Sequence, residues 1–118
     1  MATILIADDA AFMRMRCGRM LTEQGFNVLE AENGREAVDK YTAHRPDAVL
    51  MDITMPELDG LGALREIKAL DPNARVAMVT AIGQQQVVMA ALQAGAKDFV
   101  VKPFQPERVL AAVQKLLR

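Results

Sequence analysis

A single α/β domain built on a five-stranded parallel sheet is predicted by three observations. Apolar strand-like runs and amphipathic helix-like runs alternate five times along the chain. The strand runs are apolar nearly throughout, as strands covered on both faces must be. The connections are short, so successive strands join through right-handed βα crossovers. With 118 residues, 52% of them hydrophobic, the chain has enough material for one core.

The elements follow in order. A strand over 3–8 is carried by Thr3-Ile4-Leu5-Ile6-Ala7. A helix over 11–24 sets Met13, Cys17, Met20 and Leu21 on one face, and Gly25 stops it. The second strand covers 27–31. Asn33 with Glu36 makes a capping-box-like start for a helix over 34–44. The third strand, 47–52, runs through Ala48-Val49-Leu50-Met51 and gives out at Asp52. A helix over 60–70 precedes the fourth strand, 75–80, which closes on Thr80. A helix over 84–94 ends at Gly95, and the last strand, 97–101, leads to Lys102. Pro106 suits the first turn of the final helix, 106–117, where Val109, Leu110, Val113, Leu116 and Leu117 share a face.

Five such units commonly take the flavodoxin-like strand order 2-1-3-4-5, with one helix after each strand. That order sets the first and third strands side by side at the switch point, where open α/β sheets bind ligands. Asp8, Asp9 and Asp52 then meet in one pocket, with Lys102 and Thr80 approaching Asp52 from the other side. Carboxylates gathered in this way repel unless they are compensated. A lysine and a divalent cation compensate them, and Mg²⁺ is a hard ion that takes oxygen ligands and keeps waters. This set of groups suits the transfer of a phosphoryl group to an aspartate, a reaction that mainly needs positioning and neutralised charge. Asp52, at the end of a central strand, is the expected nucleophile. Asp8 and Asp9 are the expected metal ligands. Lys102 supplies a point charge for the phosphoryl oxygens. Thr80 donates a hydroxyl hydrogen bond, and the small Ala81 leaves room for the group. Each residue alone has an ordinary role: Asp8 and Asp9 as helix caps, Asp52 in a turn, Lys102 as a solvated charge, Thr80 in a sheet. Their convergence on one sheet edge favours the chemistry.

Composition removes other classes. A net charge of −1 gives no footprint for nucleic acid. Cys17, the single cysteine, forms neither an internal disulfide nor a cysteine metal cluster. No apolar run approaches the ~20 residues of a membrane span. Met1-Ala2 passes directly into a strand and leaves no room for a signal peptide. A soluble cytoplasmic domain is expected. Eight methionines and no tryptophan suggest pliable filler in the core.

Four motifs carry a family resemblance: Ile6-Ala7-Asp8-Asp9, then Met51-Asp52-Ile53-Thr54-Met55-Pro56-Glu57-Leu58-Asp59-Gly60, then Thr80-Ala81 and Lys102-Pro103-Phe104. In order and spacing the chain resembles the receiver domain of two-component response regulators, as one domain over 1–118. Asp9-Ala10-Ala11-Phe12-Met13-Arg14, Gly83-Gln84-Gln85 and Ala94-Gly95-Ala96-Lys97-Asp98-Phe99 narrow the resemblance. They look like the CheY-like chemotaxis branch of Gram-positive and thermophilic bacteria.

The resemblance implies a phosphorylation-activated signalling switch. Asp52 accepts the phosphoryl group from a histidine kinase, and output goes to the flagellar motor switch or another adaptor. Mg²⁺ sits on Asp9 and Asp52, with Asp8 placing a water ligand and the Thr54 backbone carbonyl completing the site. The resemblance further implies a cis Lys102–Pro103 bond, at the kind of linkage where cis is accessible. On activation Thr80 moves toward the phosphoryl group and Phe99 turns inward. The chain is not expected to be an enzyme beyond Mg²⁺-dependent self-phosphorylation and self-dephosphorylation. A phosphatase is a further expected partner, and a monomer is the expected state. Phe99 stands where the family often has Tyr. Thr54 replaces an amide and Ile82 an acidic or polar residue, both beside the path of a hydrolytic water.

From Ala81 to Ala96 no residue is charged. The fourth helix is expected to show solvent a low-charge face of Gln84, Gln85, Gln86, Ala90 and Gln93, framed by Lys97, Arg108 and Lys115, as a partner surface. Two other functions compete. One is a receiver cut from a larger DNA-binding regulator, whose remainder would follow Arg118. The other is an Asp-nucleophile phosphatase, a class with a second Asp two residues past the nucleophile, where this chain has Thr54. A flavodoxin-like FMN carrier is disfavoured, because Asp8-Asp9 would repel the cofactor's phosphate.

Overall fold

A computed structural model describes residues 1–118. Its elements are β1 (Thr3–Ala7), α1 (Ala11–Glu23), β2 (Asn27–Ala31), α2 (Gly34–His44), β3 (Ala48–Asp52), α3 (Gly60–Leu70), β4 (Val76–Thr80), α4 (Gln85–Gln93), β5 (Asp98–Val101) and α5 (Pro106–Leu116). The sheet order is β2-β1-β3-β4-β5, and every pairing is parallel. The expected topology therefore holds. Ala7 pairs with Ala31 and with Met51, Asp52 with Val79, and Thr80 with Val101. This register brings the ends of all five strands to one edge.

The pleat divides the apolar side chains between two layers. Leu5, Val49, Met51, Val76 and Met78 face Leu64 and Ile67 of α3 and Val38 and Tyr41 of α2. Ile4, Ile6, Leu50 and Val100 face Leu21 of α1 and Val109, Val113 and Leu116 of α5. Every residue of β3 and β4 is buried, which accounts for the unbroken apolar runs.

Local signals set the helix ends. Asn33 Oδ1 accepts from the Glu36 backbone N–H at 2.7 Å. The Glu36 carboxylate turns to Lys40 at 3.2 Å, so the capping box is made on the Asn33 side. Asp59 caps α3 by accepting from the Gly62 N–H at 2.8 Å. Gly25 and Gly95 take the positive φ angles that close α1 and α4, 93° and 112°. At the C-terminal ends of α2 and α3, on the edge opposite the strand ends, the Tyr41 hydroxyl donates to Asp71 at 2.7 Å. Arg45 lies over the same ring. No helix is long and apolar enough to cross a membrane.

The loop from β3 to α3 is held against its neighbours by two glycines. A Cβ on Gly34 would stand 1.9 Å from the Leu58 carbonyl oxygen. A Cβ on Gly60 would stand 2.0 Å from that of Asp52. The Gly60 N–H also donates to the Ile53 carbonyl at 2.8 Å. The backbone behind Asp52 is thus fixed by contacts only glycine permits.

Candidate functional site

Asp8 and Asp52 are each 6% exposed at the ends of β1 and β3, while Asp9 is open to solvent. One carboxylate oxygen from each of the three lies within 4.8 Å of the others. Lys102 follows β5 and reaches across to them. Its Nζ lies 3.2 Å from Asp52 Oδ2 and 3.5 Å from Asp8 Oδ2. The Lys102–Pro103 bond is cis, as expected. Asp8 serves two purposes. Its Oδ1 accepts from the Ala10 N–H at 2.9 Å at the start of α1, leaving Oδ2 for Lys102. Its backbone carbonyl accepts from Arg14 at 2.7 Å.

Burial first, and then the Asp8 charge, push the Asp52 carboxyl up to about 6. Lys102 and a backbone hydrogen bond at Thr54 pull it part of the way back. Burial works against the Lys102 charge, but Asp52 and Asp8 outweigh it and raise the ammonium's pKa. One lysine thus leaves three clustered acids under-compensated. A hard divalent cation fits this all-oxygen donor set, and the Asp8, Asp9 and Asp52 carboxylates could hold it.

Thr80 lies at the same edge and is 2% exposed, but its hydroxyl is engaged by Gln84. It donates to Gln84 Oε1 at 3.0 Å, which also accepts from the Ala81 N–H at 2.7 Å. Gln84 Nε2 donates to Thr54 Oγ1 at 3.1 Å. The sequence pattern puts Gln84 on the outward face of α4, but in the structure its side chain turns inward to Thr80, Ala81 and Thr54. The turn at Gly83, with φ of 95°, and the Gln84 rotamer together send the side chain back to the site.

The rest of the α4 face is largely the expected one, but it is more apolar. Gln85, Gln86 and Gln93 are exposed and Ala90 is half-buried, but Met89 and Leu92 join them on the surface. With Ile82, Phe99 and Val101, the Met89 and Leu92 side chains line a groove of about 280 Å³ beside Thr80. Phe99 points outward, 37% exposed. Arg108 does not frame this groove as a free cation. It pairs with Asp98 at 3.3 Å and donates to the Phe99 carbonyl at 2.6 Å. Lys115 also leans toward Asp98, at 4.0 Å.

Acids, lysine and buried threonine at the carboxyl edge of a 2-1-3-4-5 sheet agree with what known proteins show. Residues 4–114 match the family model described as the response regulator receiver domain. The chain belongs to that family. Within it, the chain is closely similar to the CheY chemotaxis response regulators. It is 61% identical to the chemotaxis protein CheY of Bacillus subtilis over 97% of this chain and 96% of that one. It is 55% identical to CheY of Thermotoga maritima, covering 96% and 95% of the two chains. Among solved structures, the CheX–CheY–BeF₃–Mg²⁺ complex from Borrelia burgdorferi superposes with a TM-score of 0.93 at 41% identity. That match covers 99% of this chain and 90% of the other.

Proposed function

We propose that the protein is the phosphorylation-activated switch of a chemotaxis two-component system, with Asp52 as phosphoacceptor. The observation that carries this reading is a buried Asp52 carboxylate set between two further acids, with the Lys102 ammonium 3.2 Å away. One Asp52 oxygen attacks the phosphorus of a kinase phosphohistidine. The O–P bond forms as the P–N bond breaks, and the imidazole nitrogen keeps the electron pair. Lys102 shifts its charge to the arriving phosphoryl oxygens, and the Thr80 hydroxyl and Ala81 N–H are the donors at its other side. Mg²⁺ held by Asp8, Asp9, Asp52 and the Thr54 backbone carbonyl would neutralise charge on the transferring group. The chain is a substrate of its kinase with self-dephosphorylation, not an enzyme that turns over free substrates. Thr54 at the position of a phosphatase's second Asp supports this. The relatives named as chemotaxis proteins support a chemotaxis output, for which we propose a flagellar motor switch or adaptor inside the cell. The Borrelia CheY is found in complex with CheX, which supports a further docking protein, for which we propose a phosphatase. The apolar groove beside Phe99 is the surface offered to such partners.

Acetyl phosphate with Mg²⁺ is expected to add one acid-stable, base-labile phosphoryl group, read by intact mass. Asp52→Asn is expected to give none, and an equal yield from that variant would overturn the assignment. Mg²⁺ itself is expected to bind weakly, because the site keeps several waters. Asp9→Ala should weaken it at least about tenfold in an NMR or calorimetric titration. Unchanged affinity would move the metal elsewhere.

A further inference from the structure

Gln84 precedes α4 as its N-cap, yet its side chain caps nothing there. It turns back over the end of β4 and makes three hydrogen bonds. Oε1 accepts from Ala81 N–H and Thr80 Oγ1, and Nε2 donates to Thr54 Oγ1. A backbone N–H can only donate, so the amide atom facing Ala81 is the oxygen, and the orientation of the carboxamide follows. The two donors it satisfies are the same two that a phosphoryl group on Asp52 would need.

We propose that Gln84 is a resting-state latch. Its amide oxygen occupies the place of a phosphoryl oxygen on the Thr80 hydroxyl and the Ala81 N–H, and activation must displace it. This rests on the reading of Asp52 as phosphoacceptor. A hydroxyl as buried as that of Thr80 needs an acceptor at all times, and its single proton has two within reach, Gln84 Oε1 at 3.0 Å and the Ala81 carbonyl at 3.1 Å. Gln84 supplies one while no anion is present. A charged phosphoryl oxygen is a stronger acceptor than a neutral amide, roughly twofold, so the exchange runs forward on phosphorylation. Displacement also frees Thr54, the residue two past Asp52. It reaches α4 directly, because the Gln84 carbonyl accepts the helix's bond from Val88 N–H at 3.0 Å. Gln84 is therefore a positioning residue, joining the site to the helix that walls the Phe99 groove.

The test replaces the amide by a side chain of similar length that makes no such bonds, Gln84→Met. Two readouts are taken: beryllofluoride affinity in Mg²⁺, and amide hydrogen exchange at Ala81 in the protein without ligand. Gln84→Met is expected to bind beryllofluoride roughly 3–10-fold more tightly, the range that releasing one or two neutral hydrogen bonds allows. Its Ala81 amide is expected to exchange faster. In a Thr80→Ala background the gain should shrink, because one of the two latched donors is gone. Unchanged or weaker beryllofluoride binding in Gln84→Met, with the parent binding normally, overturns the latch. So does a full gain in the Thr80→Ala background. If the parent takes up neither beryllofluoride nor phosphoryl, the Asp52 reading fails. Ala81 exchange then still judges the contact, and unchanged protection in Gln84→Met overturns it.

Discussion

Gly60→Ala is expected to cost about 3 kcal/mol or more of folding stability, at the upper end of what added bulk does in a packed interior. An added Cβ would stand 2.0 Å from the Asp52 carbonyl oxygen, and 2.8 Å from both the Asp52 carbonyl carbon and Ile53 Cα. All three atoms are backbone, so no rotamer change relieves the clash. Either α3 backs away from the sheet or the end of β3 moves, and the second carries Asp52 out of line with Lys102. Gly18→Ala is the internal control. There the new methyl would meet only side chains, at 3.6 and 4.0 Å, inside α1. Ordinary helix propensity should make that change neutral or stabilising by up to ~1 kcal/mol. Urea melts of the two variants are expected to move in opposite directions or to differ by several kcal/mol. A Gly60→Ala midpoint within experimental error of the parent would mean that the approach of α3 to β3 is loose.

The second large effect is expected from Asp52→Asn in protein stripped of divalent cations. In the unfolded chain this carboxyl titrates near ~3.9. In the fold, burial and then Asp8 push it up to about 6. The folded protein therefore holds an extra proton between those values, and the stability of the metal-free parent falls as pH rises from about 4 to about 6. Above that window the full cost of the ionised carboxylate is present; below it, the cost is gone. Two pKa units, already net of the Lys102 attraction, set a ceiling of about 3 kcal/mol on the gain. Asparagine is neutral at every pH and escapes the cost. The variant should melt several degrees above the parent at pH 8 and close to it at pH 4. Adding Mg²⁺ should narrow the gap by stabilising the parent more than the variant, which keeps only Asp8 and Asp9 of the three acids. An advantage as large at pH 4 as at pH 8 would show that the charge of Asp52 is not its source.

The positions of the elements were legible in the sequence to within one residue at each end, because many boundaries carry a physical signal. Asn33, Gly25, Gly95 and Pro106 mark helix ends, and unbroken apolar runs mark strands buried on both faces. Once the strand ends are placed, the parallel register brings Asp8, Asp9, Asp52 and Lys102 together without further information. The Thr80–Gln84–Thr54 chain was not legible. Whether a glutamine at a helix start faces solvent or site depends on the turn at Gly83 and one rotamer, and neither leaves a periodic trace. Met89 and Leu92 escaped for a different reason. Apolar character predicts burial only on average, and α4 has too few neighbours on its outer side to cover them.

The Tyr41–Asp71 pair has an optical consequence. The chain has no tryptophan and one tyrosine. That tyrosine sits at the pole of the sheet farthest from the acids, and burial, with Asp71 second, holds its phenol protonated well above the usual range. Near-ultraviolet emission from the native protein therefore comes from a silent corner, steady across ordinary buffers and blind to events around Asp52. A lone indole introduced as Phe99→Trp would shine against an almost dark background. Cation titrations and phosphodonor time courses could then be followed by stopped-flow fluorescence, without a dye and against a steady tyrosine signal.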